Sequence, residues 1–145
     1  DKVYKGGGSG LASTIEDYFK FSQMLLNGGE LNGKRILSRK TVELMTMNHL
    51  PENKTLLDMN AGGGFSEVRY QGMGYGLSMA VTVDQAATQI SGTAGSYNWG
   101  GMASTFFWID PKENLVGIFM TQLRPSTTFP FRGQMQAMVY GAFED

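Results

Sequence analysis

The chain has 145 residues, 41% of them hydrophobic, enough to bury a core as one domain with no internal boundary. Its 12 Lys plus Arg against 13 Asp plus Glu leave a net charge of −1, which argues against nucleic acid and against an anionic membrane surface as partners. Cysteine is absent, which excludes disulfides and thiolate metal sites, and no apolar stretch approaches the roughly 20 residues of a membrane helix.

The opening Asp1-Lys2-Val3-Tyr4 has no signal-peptide pattern and no initiator Met, and reads as the start of a processed piece. Gly6-Gly7-Gly8-Ser9-Gly10 reads as a tight or flexible loop. It lacks the Gly-Lys-Ser/Thr of a phosphate loop, and no strand precedes it. Ser13 with Glu16 makes a capping box for a helix over 14–27. Ile15, Tyr18, Phe19, Ser22, Leu25 and Leu26 then follow at helical spacing, and Asn27-Gly28-Gly29 stops the helix. Asn32-Gly33 predicts a small hairpin over 30–37. Ser38 caps a second helix, 39–48, closed off by Pro51.

Residues 52–74 show no sustained period, and a loop of that length is a candidate for the rim of a site. Strands are predicted over 75–83, 103–109 and 115–122, the last two joined by the turn Asp110-Pro111-Lys112-Glu113-Asn114. A closing helix over 132–143 places Met135, Met138, Val139 and Ala142 on one face. The ten methionines read as core filler. The fold class is α+β, an antiparallel sheet covered by helices.

Chemistry is sparse. His49 is the single histidine and sits at a predicted helix end, where it complements the dipole; no metal-ligand spacing accompanies it. No cofactor motif is present. Ser-x-x-Lys and Gly-x-Ser-x-Gly are both missing from this sequence. Ser96-Tyr97-Asn98 fits Ser-x-Asn but reads as a turn. The most informative segment is Trp99-Gly100-Gly101, at the mouth of a hairpin on an expected edge strand. Two glycines permit close approach of a substrate to the backbone, and the aromatic supplies a wall. A core position for Trp99 at a strand start is the alternative.

Several segments together resemble a known family. They are 6–14 (GGGSGLAST), Asp17-Tyr18, Phe21, 24–29 (MLLNGG), Leu37-Ser38, Tyr75-Gly76-Leu77, Trp99-Gly100-Gly101, Asp110-Pro111-Lys112-Glu113 and Phe119-Met120-Thr121-Gln122. In this order they resemble the C-terminal half of the serine β-lactamase-like hydrolases: class C β-lactamases, D,D-peptidases and family VIII-type esterases. The resemblance implies a C-terminal portion of a β-lactamase/transpeptidase-like fold, 1–145 forming one partial domain. In that family a Ser-x-x-Lys helix and a Tyr-x-Asn or Tyr-x-Ser loop lie upstream of everything matched here. The chain alone is therefore expected to be inactive, its partner a complementary N-terminal segment carrying the nucleophile.

The family's third motif, Lys or His, then Thr, Ser or Gly, then Gly, falls on Trp99-Gly100-Gly101. The resemblance implies that Gly101 and the backbone N–H of Met102 serve the oxyanion, with acyl transfer through an acyl-serine. Trp99 departs from the pattern. A cation there would attract a substrate carboxylate, whereas tryptophan packs against an apolar acyl or alcohol group. That favours a carboxylesterase over a β-lactamase, acting on a small-molecule ester or β-lactam-like substrate, with Trp99, Gly100 and Tyr97 binding it. The rival expectation is a non-catalytic ligand-binding or interaction module on the same fold. Periplasm and cytoplasm are both compatible with the sequence.

Overall fold

The structure is a computed structural model describing residues 11–59 and 70–143; the expected loop over 6–10 lies outside them. The first helix, α1 (Ile15–Leu26), is capped one residue later than the sequence suggests. Thr14 Oγ1 accepts the Asp17 N–H at 3.1 Å, so Thr14-x-x-Asp17 does the work expected of Ser13-x-x-Glu16. Gly28 and Gly29 end the helix at φ of 68° and 98°, and their N–H groups return to Leu25 and Met24 carbonyls. Its inward face is Ser22, Met24 and Leu25, with Tyr18 and Leu26 partly buried; Ile15 and Phe19, though in phase, stay exposed.

The hairpin β1 (Glu30–Leu31) and β2 (Lys34–Arg35) turns through Asn32 and Gly33, both at positive φ as a type I′ turn requires. Helix α2 (Arg39–Met45), capped by Ser38, stops three residues before the predicted end at 48. The Asn48 side chain explains the early stop: its Oδ1 accepts from Tyr75 N–H at 3.0 Å and its Nδ2 donates to the Lys54 carbonyl at 2.9 Å. A 3₁₀ turn, Pro51–Asn53, follows.

The predicted strand over 75–83 is two strands, β3 (Met73–Tyr75) and β4 (Ala80–Thr82). A turn separates them, with Gly76 N–H bonded to the Met79 carbonyl. A short α3 (Gln85–Thr88), capped by Asp84, was not anticipated from the sequence. Next come β5 (Tyr97–Gly100), β6 (Phe106–Asp110) and β7 (Leu115–Phe119). The five strands run β3-β4-β5-β6-β7, every neighbour antiparallel. Ser96-Tyr97-Asn98 is therefore strand entry rather than a turn, and β5 is the central strand rather than an edge. Its pairing with β4 stops at Asn98, so Trp99 and Gly100 are bonded on the β6 side alone.

Helix α4 (Phe131–Tyr140) closes the described chain. Arg132 is buried and Met135 and Val139 are half-buried, while Met138 is 73% exposed and Ala142 lies past the helix end, so half of the predicted apolar face points outward. One side of the sheet packs Val81, Tyr97, Phe107 and Ile109 against Met24, Leu25 and Val42. On the other, Phe106 stacks on Trp108, and Phe119 meets both Phe106 and Phe131. All five β6 residues are buried, as a strand covered on both faces requires. The methionines divide: Met24, Met73 and Met79 are core, whereas Met47, Met59, Met102 and Met138 are exposed.

Candidate active site

The tip of the β5–β6 hairpin is a compact loop over 101–105. Gly101 N–H donates to the Thr105 carbonyl at 2.7 Å and Ser104 N–H to the Gly101 carbonyl at 3.1 Å. The irregular segment after β7 clamps it: Ser104 Oγ donates to the Leu123 carbonyl at 2.9 Å and Thr105 Oγ1 to the Thr121 carbonyl at 3.1 Å. Leu123 N–H in turn donates to the Ala103 carbonyl. These bonds explain why regular pairing ends at Phe106 and Phe119, short of the predicted strand limits, and they fix the backbone that carries Gly101 and Met102.

Beside this tip lies a cleft of about 190 Å³. Trp99, Gly100 and Gly101 form one wall, and Tyr18 of α1, Phe107 and Ile118 form the other. The lining is overwhelmingly apolar. Trp99 is 37% exposed, against 1% for Trp108, so Trp108 and not Trp99 is the core tryptophan. Tyr70 stacks on Trp99 with ring centroids 6.3 Å apart and 25° between planes, and Tyr75 meets it edge-on at 5.2 Å. Burial pushes the phenols of Tyr18 and Tyr75 above their ordinary range, with the neighbouring Tyr70 adding to the shift at Tyr75. Both are protonated at neutral pH.

The two glycines have different neighbours. A side chain on Gly101 would meet nothing closer than the Thr105 carbonyl at 3.9 Å, so its open face belongs to the cleft. A side chain on Gly100 would run into the guanidinium of Arg132, which packs there over the Phe106 ring. Met102 follows Gly101 on the exposed turn, and among the described residues no backbone hydrogen bond engages its N–H.

Tyr97 does not join this group. It is 2% exposed, inside the core, and lines another cavity. Ser96 is also buried, its hydroxyl bonded to that of Thr82 at 3.0 Å. His49 is structural: its Nε2 bonds the Leu44 carbonyl at 2.7 Å, satisfying an end carbonyl of α2. Of the loop over 52–74, Tyr70 stacks on Trp99 without lining the cleft itself, while 60–69 lie outside the described residues. Sequence reasoning missed Tyr18 as a wall of the cleft and Tyr75 as a ring packed on Trp99. The spacing of Tyr18 marks it as inward-facing, but nothing local says which strand it meets. No group of three or more His, Cys, Asp or Glu placed to hold a metal lies among the described residues.

An antiparallel five-stranded meander with helices on both faces is the fold of known β-lactamase/transpeptidase-like proteins. The similar solved structures include EstCE1, a hydrolase with promiscuous acyltransferase activity, at TM-score 0.67 and 22% identity, covering 88% of this chain and 29% of that one. Unliganded simvastatin synthase (LovD) from Aspergillus terreus matches with the same TM-score of 0.67 and 22% identity, over 88% of this chain and 33% of LovD. The chain belongs to the Beta-lactamase family, whose model matches residues 1–139. Protein Rv1367c of Mycobacterium tuberculosis (strain ATCC 25618 / H37Rv) is 32% identical over 121 residues, 81% of this chain. The chain spans 29% of the length of that relative.

Proposed function

We propose that this chain supplies the third-motif strand and half of the oxyanion hole of a serine hydrolase that acts on esters of uncharged, apolar groups. The observation that carries the reading is the exposed Trp99 beside an apolar cleft that reaches the open face of Gly101. A serine from a complementary segment attacks the ester carbonyl, and its proton passes to the paired lysine. The carbonyl oxygen takes up negative charge and is held by the Met102 N–H and the N–H of that serine. The alkoxide leaves with a proton, and water then hydrolyses the acyl-serine by the same route in reverse. Preorganised donors of this kind each contribute about 3 kcal/mol to the transition state.

Ester over β-lactam follows from the wall. Neither Trp99 nor the rings of Tyr70 and Tyr75 offers the positive charge that would pair with a carboxylate next to the scissile bond. The activities named for EstCE1 and LovD, one a hydrolase with acyltransferase activity and the other a synthase, are compatible with acyl-serine chemistry.

The test assembles this chain with a polypeptide bearing Ser-x-x-Lys and Tyr-x-Asn or Tyr-x-Ser, as one protein or two. Turnover of p-nitrophenyl butyrate and of a chromogenic cephalosporin is then compared. Butyrate turnover well above cephalosporin turnover supports the reading. The reverse preference overturns the ester assignment, and ligand binding without turnover of either favours the non-catalytic module.

A further inference from the structure

Successive residues of a strand face opposite sides of the sheet. Trp99 pairs with Phe107 and shares its side, toward α1 and the cleft. Gly100 pairs with Phe106 and faces the other way, toward α4. There Arg132, the second residue of α4, is 6% exposed. The three atoms that a Gly100 side chain would meet first all belong to its guanidinium, which also lies over the Phe106 ring, 5.9 Å from the centroid. A buried planar cation is thus seated on bare backbone, and that backbone runs on through Gly101 to Met102.

The strand end has little else to hold it from this side. Pairing of β5 with β4 stops at Asn98, so from Trp99 onward β6 is the one strand neighbour among the described residues. Gly101 has no side chain and meets nothing behind it closer than the Thr105 carbonyl at 3.9 Å. On the cleft side Tyr70 and Tyr75 pack on the Trp99 ring. Arg132 is the counter-contact from α4. A glycine at 100 therefore admits the arginine, whereas the glycine at 101 opens the cleft.

We propose that Arg132 is a positioning residue for the oxyanion, its guanidinium setting through the bare Gly100 backbone how far the Gly101–Met102 peptide stands into the cleft. The inference rests on the ester-hydrolysis reading of the Met102 N–H. Arg132 acts from behind the strand and does not touch the substrate.

The chain is labelled with ¹⁵N, and the amide signals of Gly101 and Met102 are compared in wild type, Arg132→Lys, Arg132→Ala and Gly100→Ala. Both signals are expected to move in every variant. Signals that stay in place in any folded variant overturn the proposal, with no nucleophile needed. In the assembled hydrolase, Arg132→Ala and Gly100→Ala are each expected to lower kcat about 10²-fold, as misplacement of a reacting group does, with KM nearly unchanged.

The double variant separates position from stability. Alanine at 100 meets no guanidinium once Arg132 is gone, so the losses in Tm are less than additive on packing grounds alone. If Arg132 positions the donor, the kcat losses are also less than multiplicative, because the new methyl supports the strand from the same side. Losses in kcat that multiply overturn the proposal, as does wild-type kcat in a folded Arg132→Ala protein. An assembled wild type that does not turn over p-nitrophenyl butyrate overturns the ester reading, and with it the role given to Arg132.

Discussion

The guanidinium of Arg132 on α4 stands where a side chain on Gly100 would stand, so the strand that bears Trp99 is buttressed from behind by a buried cation. Gly117 has the same relation to a stiffer neighbour, the indole of its cross-strand partner Trp108. Both substitutions to Ala overpack the α4 side of the sheet, but an arginine head can shift and a buried indole cannot. Gly117→Ala is therefore expected to cost at least the 1–3 kcal/mol typical of overpacking, roughly stated, and Gly100→Ala less. Urea unfolding of the two variants gives the order, and a larger loss at Gly100 contradicts it.

Gly101 is the reverse case. Its open face has room, so Gly101→Val should leave Tm nearly unchanged while blocking approach to the Met102 N–H. In the assembled hydrolase kcat is expected to fall by about 10²–10³, the worth of one oxyanion donor. Wild-type turnover from a folded Gly101→Val protein would sink the oxyanion assignment.

Trp99 can be converted toward the family's cationic pattern. Trp99→Lys should lower kcat/KM for apolar esters and raise it for substrates carrying a carboxylate beside the scissile bond, each by about tenfold. The loss of ring contacts with Tyr70 and Tyr75 should cost about 1 kcal/mol of stability. Steady-state kinetics on matched charged and uncharged esters decides. If both substrates change in parallel, Trp99 has no part in discrimination.

Much of the fold was legible where the signal is local. The cap at Ser38, the Asn32-Gly33 turn and the glycines after Asn27 act within a few residues, and α1, α2 and the first hairpin follow from them, although the α1 cap is Thr14 and not Ser13. Trp99-Gly100-Gly101 stood out in the sequence as an aromatic beside two glycines, and the structure puts all three on the lining of one apolar cleft. What failed depends on distant partners. Tyr97 shares the α1 side of the sheet with Trp99, yet α1 and α2 cover one and leave the other open, which no period-two pattern encodes. The end of α2 was lost to Asn48, whose amide serves a strand 27 residues away. Gly76 hid a hairpin because the run over 75–83 is apolar on both sides of it.

Asp110 supplies the last prediction. Fully buried at the end of β6, its carboxylate accepts from the Tyr140 hydroxyl at 2.7 Å, from the N–H groups of Lys112 and Glu113 and from the Thr93 hydroxyl. Burial first, then the bond to Asp110 and its negative charge, push the Tyr140 phenol well above its ordinary range. In the unfolded chain that phenol ionises near about 10. Between that pH and its folded pKa the native state holds a proton the unfolded state has released, so stability declines as pH rises. The contribution is complete below about pH 10 and is lost above it. The buried phenol of Tyr97 is shifted the same way and adds to the decline. Tyr140→Phe should cost about 1–3 kcal/mol at pH 7 by removing a donor from a buried carboxylate, and it should flatten the loss at alkaline pH. Urea unfolding from pH 7 to 11 on both proteins tests the two effects together. An alkaline slope that is the same in Tyr140→Phe as in the wild type would show that Asp110 is held by its other donors alone.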